Sequence, residues 1–254
     1  MQIALIILVA AAVIALIVWW SKVQAERERQ RRAGLRALAV QNGLEFSESD
    51  RWDLDSRYEG VLDIGRGHDR YALDVVAGHT PKLYVFRYHY KTWETRTVTR
   101  NGRTYTEQHE VTHWRQYLII ELNSYFPSLL LRGESFFDKL AGFVGFDDID
   151  FESEAFSKKY FVKSNSKEFA YAMIHPQMME YLLNLSMNFQ LQDGRLVMDL
   201  QQFAFDAPGI RDALDAIGGV VNLVPDFVWQ DYGKTPPIKL PTYQYTPEAV
   251  PTAV

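Results

Sequence analysis

From Ile3 to Trp20 the chain carries no polar side chain, and at Ser21 the pattern turns abruptly polar. A helix of eighteen such residues is about 27 Å long, close to the thickness of a bilayer's hydrocarbon core. Trp19 and Trp20 close the run, where an indole favours the headgroup boundary. Only Met1 and Gln2 precede it and no small-residue cleavage site follows it, so the pattern predicts an uncleaved signal anchor. The expectation is a single-pass transmembrane helix over 1–20. All the basic residues of the first 36 positions (Lys22, Arg27, Arg29, Arg31, Arg32, Arg36) follow the run. That asymmetry predicts a cell-membrane protein with its N-terminus outside and its soluble domain cytoplasmic.

Beyond the run, 21–43 reads as a juxtamembrane helical linker: a polar helix to Arg32, then a short amphipathic one after Gly34, stopped by Asn42-Gly43. A soluble α+β domain of antiparallel β-hairpins and several short helices is expected over 44–233. Tyr58 to Ile64 and Tyr71 to Val76 read as one hairpin about the turn from Gly65 to Asp69. Leu83 to Arg100 and Arg103 to Leu122 flank Asn101-Gly102, a strong two-residue turn signal. The register this turn imposes sets Tyr84 opposite Ile119, Phe86 opposite Tyr117, Glu94 opposite His109 and Arg96 opposite Glu107. Apolar then meets apolar at the base and opposite charges meet near the tip.

The second half is more helical. Ser135 to Val144 has an amphipathic pattern, Tyr160 to Lys163 a strand pattern, and Ser166 and Pro176 open two further helices. A hairpin turns at Asp193-Gly194, and Asp206 caps a helix expected to stop at Gly218-Gly219. The proline-rich stretch 234–254 reads as a disordered or extended tail.

Composition bounds the chemistry. There are 254 residues with 47% hydrophobic and 23% charged content, which is a globular balance, and cysteine is absent, so thiol chemistry and disulfides are excluded. With the first 36 residues set aside, 21 basic and 30 acidic residues leave 37–254 at −9, a charge that disfavours nucleic acid as a partner.

His109-Glu110-Val111-Thr112-His113 matches H-E-x-x-H, a zinc-hydrolase pattern that functions on a helix, where both imidazoles share a face. Here β-branched and aromatic residues flank it and an Asn-Gly turn lies seven residues upstream. On a strand the two imidazoles stand about 13 Å apart, too far for one ion. Glu134 is the residue placed to act as a third ligand were the stretch helical. Asp147, Asp148, Asp150, Glu152 and Glu154 read as a solvated edge with Lys158, Lys159 and Lys163 nearby. Gly65-Arg66-Gly67 lacks the third glycine and the helix of a dinucleotide loop. Met173, Met178, Met179 and Met187 read as core, and His175 as a helix-entry residue. No catalytic residue, cofactor or metal ligand is assigned.

The 83–122 hairpin is itself the candidate site. Its apolar pairs end near Arg87 and Gln116, and beyond them both faces are polar, so the ribbon should protrude as an arm. Between Lys82 and Arg115 seven Lys/Arg face three acids. Trp93, Arg96, Arg100 and Arg103 are the residues expected to contact a protein partner or a second copy of this chain.

Phe151-Glu152-Ser153-Glu154-Ala155-Phe156-Ser157-Lys158-Lys159-Tyr160-Phe161-Val162, followed by a helix and Pro176-Gln177-Met178-Met179, resembles a pattern of uncharacterised bacterial membrane-anchored proteins. The resemblance implies a bacterial origin and brings no activity. The expected function is a membrane-anchored, non-enzymatic binding or assembly module. The alternative is a zinc-dependent hydrolase working through His109, Glu110 and His113.

Overall fold

The computed structural model describes residues 2–100, 102–133, 146–185 and 187–247. Helix α1, Gln2–Gln41, runs without a break through Gly34, where a side chain would crowd Tyr245 and Ala207. The glycine is a close-packing residue, so the linker and the short helix expected over 21–43 are one helix. At its end Gly43 takes a left-handed backbone (φ 64°) and Leu44 N–H donates to Ala39 O at 2.8 Å.

The transmembrane helix is not upheld. Among the described residues no helix is long and apolar enough to cross a membrane. Within α1 the apolar side chains described run from Ala10 to Trp20, about 16 Å of helix, before Ser21 and Lys22 make the surface polar.

The remaining chain is α+β. Strands β1 (Glu45–Ser49), β2 (His68–His79), β3 (Lys82–Arg100), β4 (Arg103–Glu121), β5 (Leu129–Gly133), β6 (Asp147–Asp148), β7 (Tyr160–Ser164), β8 (Phe189–Gln192) and β9 (Arg195–Asp199) form one antiparallel sheet. Its order is β1-β2-β3-β4-β9-β8-β5-β7-β6. The hairpins thus join into a single sheet, with β4 paired to β9 by a long crossover. β3 and β4 pair in the register expected of a two-residue turn, Leu83 with Ile120 through to Arg100 with Arg103; Asn101 lies outside the described residues.

Period-two alternation gives the sheet two buried faces. On one, Val76, Val85, Leu118, Ile120, Leu129, Leu131 and Met198 pack beneath α1, α3 (Glu154–Lys159), α4 (Lys167–Met173), α5 (Pro176–Asn184) and α6 (Ala207–Leu223). On the other, Tyr84, Phe86, Tyr88, Tyr90, Tyr117, Ile119 and Val197 meet Leu54, Tyr58 and Ile64. That second cover is the segment expected to begin a hairpin. Instead α2 (Leu54–Arg57) opens it, Asp50 accepts from Leu54 N–H at 2.7 Å, and Tyr58 to Ile64 folds as turns over the tyrosines.

The expected caps form: Ser166 accepts from Phe169 N–H at 3.2 Å, and Asp206 accepts from Gly209 N–H at 2.9 Å. α6 does not stop at Gly218-Gly219 but continues to Leu223. A Cβ on Gly219 would lie 2.0 Å from Tyr181 Oη, so this glycine admits the α5 tyrosine and does not end the helix. The described part of the proline-rich stretch, 234–247, runs extended against the fold. Leu240 and Tyr243 are buried, Asn222 brackets Leu240 (2.8 and 2.9 Å), and Asn42 and Gln41 hold Gln244 and Thr246. The helix expected over Ser135 to Val144, and Glu134, lie outside the described residues.

Candidate functional site

The β3–β4 ribbon has two parts. At its root both faces are covered. Tyr88 and Tyr90 are buried, so the apolar pairing continues past Arg87 on one face, farther than expected. There Arg115 Nε donates to Asp63 at 3.0 Å, Tyr58 Oη donates to Glu121 at 2.9 Å, and Tyr88 Oη donates to Asp55. Burial, aided by those carboxylates, raises the phenols of Tyr58 and Tyr88 far above their ordinary range.

On the opposite face a buried carboxylate fastens the root to α1. Asp74 has no exposed side-chain surface and sits at a β-bulge with φ 51°. Arg31 Nη2 reaches its Oδ2 at 2.5 Å, Arg87 pairs with the same oxygen, and Arg32 Nε stands 2.9 Å from Oδ1. Glu28 joins them, 2.6 Å from Arg31 and 3.0 Å from Arg87. The hydrogen bond from Arg31 pulls the Glu28 carboxyl down to about 2, against the opposing effect of burial.

From Trp93 to Arg100 and from Arg103 to Glu110 every described residue except Val98 is exposed. Eight residues per strand project about 27 Å beyond the cover. Trp93 is 60% exposed and stacks on His68, with centroids 5.7 Å apart. Arg100 lies 3.7 Å from Glu107. Arg96 and Arg103 are exposed, with no carboxylate within ion-pair distance among the described residues. The basic excess of the hairpin is largely neutralised at the root, where Arg87, Lys91 and Arg115 are in ion pairs. The exposed ribbon carries Arg96, Arg100 and Arg103 against Glu94, Glu107 and Glu110, so it is a mixed rather than a basic surface.

Where root meets ribbon, two half-exposed aromatic rings flank the buried His89 in a ladder. Tyr71 stacks on His89 at 4.5 Å, His89 meets Trp114 edge-on at 4.7 Å, and the Arg87 guanidinium lies over Trp114 at 5.8 Å. Tyr71 and Trp114 are each almost half exposed.

The H-E-x-x-H residues lie within β4 and are extended. His113 stacks on Tyr90 at 4.6 Å and its Nε2 is 2.7 Å from Thr92 Oγ1. Burial, with Arg115 nearby, lowers its pKa. Glu110 points to the other face, 2.9 Å from Lys91 and 3.1 Å from His68, and hydrogen bonding from Lys91 holds its carboxyl below the usual range. His109 is exposed opposite Glu94. Imidazoles about 13 Å apart with the glutamate on the reverse face cannot hold one zinc.

No family model matches the chain, and no curated protein matches it. Among solved structures, the crystal structure of the mycobacterial trehalose monomycolate transport factor A, TtfA, is similar to it. The identity is 13% and the TM-score 0.49, over 78% of this chain and 97% of that one. A likeness of that degree carries no argument about activity.

Sequence reasoning did not single out Asp74, His68, Asp69, Lys91, Tyr71 or Trp114. Each gains its role from a partner on another strand or on α1, and no local pattern marks such a pairing.

Proposed function

We propose that this protein is a non-enzymatic binding module that rests against a membrane surface and presents the outer β3–β4 ribbon to a protein partner. The observation that carries the reading is a ribbon exposed on both faces and rooted in a core covered on both faces. Such a ribbon contributes little to the stability of its own fold. Among the described residues its strand edges are unpaired beyond β2 and β9, which suits main-chain pairing with another chain. The half-exposed rings at its base supply the aromatic anchors that binding surfaces favour.

The membrane part rests on α1. Val13, Ile14, Leu16, Ile17, Trp19 and Trp20 are 49–62% exposed, and no described part of the domain covers them. An uncovered apolar stretch of this length fits the lipid interface, with the tryptophans at the headgroup level.

A photo-cross-linking residue placed at Thr97 in the full chain, expressed in its native cells, should give a discrete adduct. The same residue at exposed Asn184 should give none. Equal labelling from both positions would contradict a docking role for the ribbon.

A further inference from the structure

Glu110, the one acidic residue of the H-E-x-x-H stretch, meets a different set of side chains from the one its motif suggests. It faces His68 and Asp69 of β2 across Lys91 of β3. A nitrogen or oxygen donor atom from each of His68, Asp69 and Glu110 lies within 4.8 Å of the others. His68 Nε2 is 3.1 Å from Glu110 Oε1. Two ligands of one ion with bonds of about 2.1 Å stand roughly 3–3.4 Å apart, so this pair already has ligand spacing.

Consecutive residues on a regular strand point to opposite faces, and His68 and Asp69 should therefore diverge. A bulge between His68 and Tyr71 breaks the register, and both side chains reach the Glu110 side. The field at the centre already favours a cation. Lys91 Nζ sits 3.0 Å from Asp69 Oδ2 and 2.9 Å from Glu110 Oε2. Trp93 stacks on His68 with planes 15° apart and limits the ring's rotation.

We infer that His68, Asp69 and Glu110 form a binding site for a first-row divalent cation such as Zn²⁺, with Lys91 as a resident ammonium that the metal displaces. One imidazole nitrogen and two carboxylates suit such an ion, and water completes its coordination. Displacement is easy because the lysine pairs are near the surface, where ion pairs are weak. The site is independent of the proposed docking of the ribbon, although it lies at the ribbon's base. A bound ion would tie β2 to β4 across β3 and stiffen the point from which the ribbon projects.

The test is a calorimetric titration of the EDTA-stripped full chain in detergent with Zn²⁺, alongside quenching of tryptophan emission by Ni²⁺. One ion per chain is expected. His68→Ala and Glu110→Gln should each weaken binding by at least about tenfold, whereas Lys91→Gln should tighten it several-fold by removing the competitor. His109→Ala and His113→Ala should bind as the parent does. Trp93→Phe should lose most of the quenching and keep the zinc isotherm. Thermal midpoints close to the parent's would show that these surface variants are folded. Absence of saturable binding below millimolar zinc, binding unchanged in Glu110→Gln, or binding lost in His109→Ala would each overturn the site.

Discussion

The same two strands behave in opposite ways along their length. Between Leu83 and Tyr90, β3 is covered on both faces, its charges are in ion pairs, and its aromatic rings interlock. From Trp93 outward the strand is continuous and the ladder to β4 unbroken, yet side-chain cover is gone. Backbone pairing is constant, so what differs is side-chain burial and the dielectric around the charges. An Arg–Asp contact at the root lies largely out of water and its loss leaves charge uncompensated. The Arg100–Glu107 contact is solvated and contributes little. Stability is concentrated in one half of the ribbon, and the other half contributes little to it.

Changes at the root should therefore cost far more than changes at the tip. Asp74→Ala leaves Arg31, Arg32 and Arg87 facing one another without their shared carboxylate, which should destabilise the fold by about 3–5 kcal/mol in urea titrations. The next contrast uses two glycines of nearly equal backbone angle. Gly67 (φ +70°) would place a Cβ 2.0 Å from Lys91 O, while Gly102 (φ +71°) has nothing within 4 Å. Gly67→Ala should cost about 3 kcal/mol, strain plus forced main-chain displacement, against about 1 kcal/mol for Gly102→Ala. Equal losses would remove the distinction between root and tip.

Acid should weaken the root through Glu28. The folded Glu28 carboxyl is lowered from 4.5 to about 2, so its contribution is present above pH about 4.5 and is lost as pH falls through about 2. Because its side chain is 39% exposed, the contribution is about 1 kcal/mol after solvent screening. The gap in thermal midpoint between the parent and Glu28→Gln should accordingly be open at pH 7 and close between pH 4.5 and 2. The smallest effect belongs to the tip. Reversing Arg96, Arg100 and Arg103 to Glu should change stability by less than about 0.5 kcal/mol per site, while weakening any cross-link formed from Thr97.

What was legible in the sequence was local. The Asn-Gly turn set the β3–β4 register, and the side chains of Ser166 and Asp206 marked the helix starts, because turn and cap chemistry act over a few residues. The extended form of β4, and with it the failure of His109 and His113 to converge, followed from flanking β-branched and aromatic residues. Long-range choices were not legible. The pairing of β4 with β9, the turn of Tyr58 to Ile64 over the tyrosines, and the tethering of the proline-rich stretch by Asn42 and Asn222 depend on segments distant in sequence. Gly218-Gly219 looked like a helix stop because only the fold supplies Tyr181 as the neighbour that requires Gly219. The apolar run pointed to a crossing helix, yet no described helix is long and apolar enough for one.

The central claim is that the outer ribbon is dispensable for folding and required for docking. Replacing residues 95–108 by Asn-Gly keeps Glu94 opposite His109 and removes the exposed ribbon. The decisive measurement is the apparent size of the complex that carries the full chain when gently isolated from its native cells, with the thermal midpoint taken on the same samples. The account predicts an unchanged midpoint and a smaller complex for the shortened chain. A complex of unchanged size with an unchanged midpoint would contradict it.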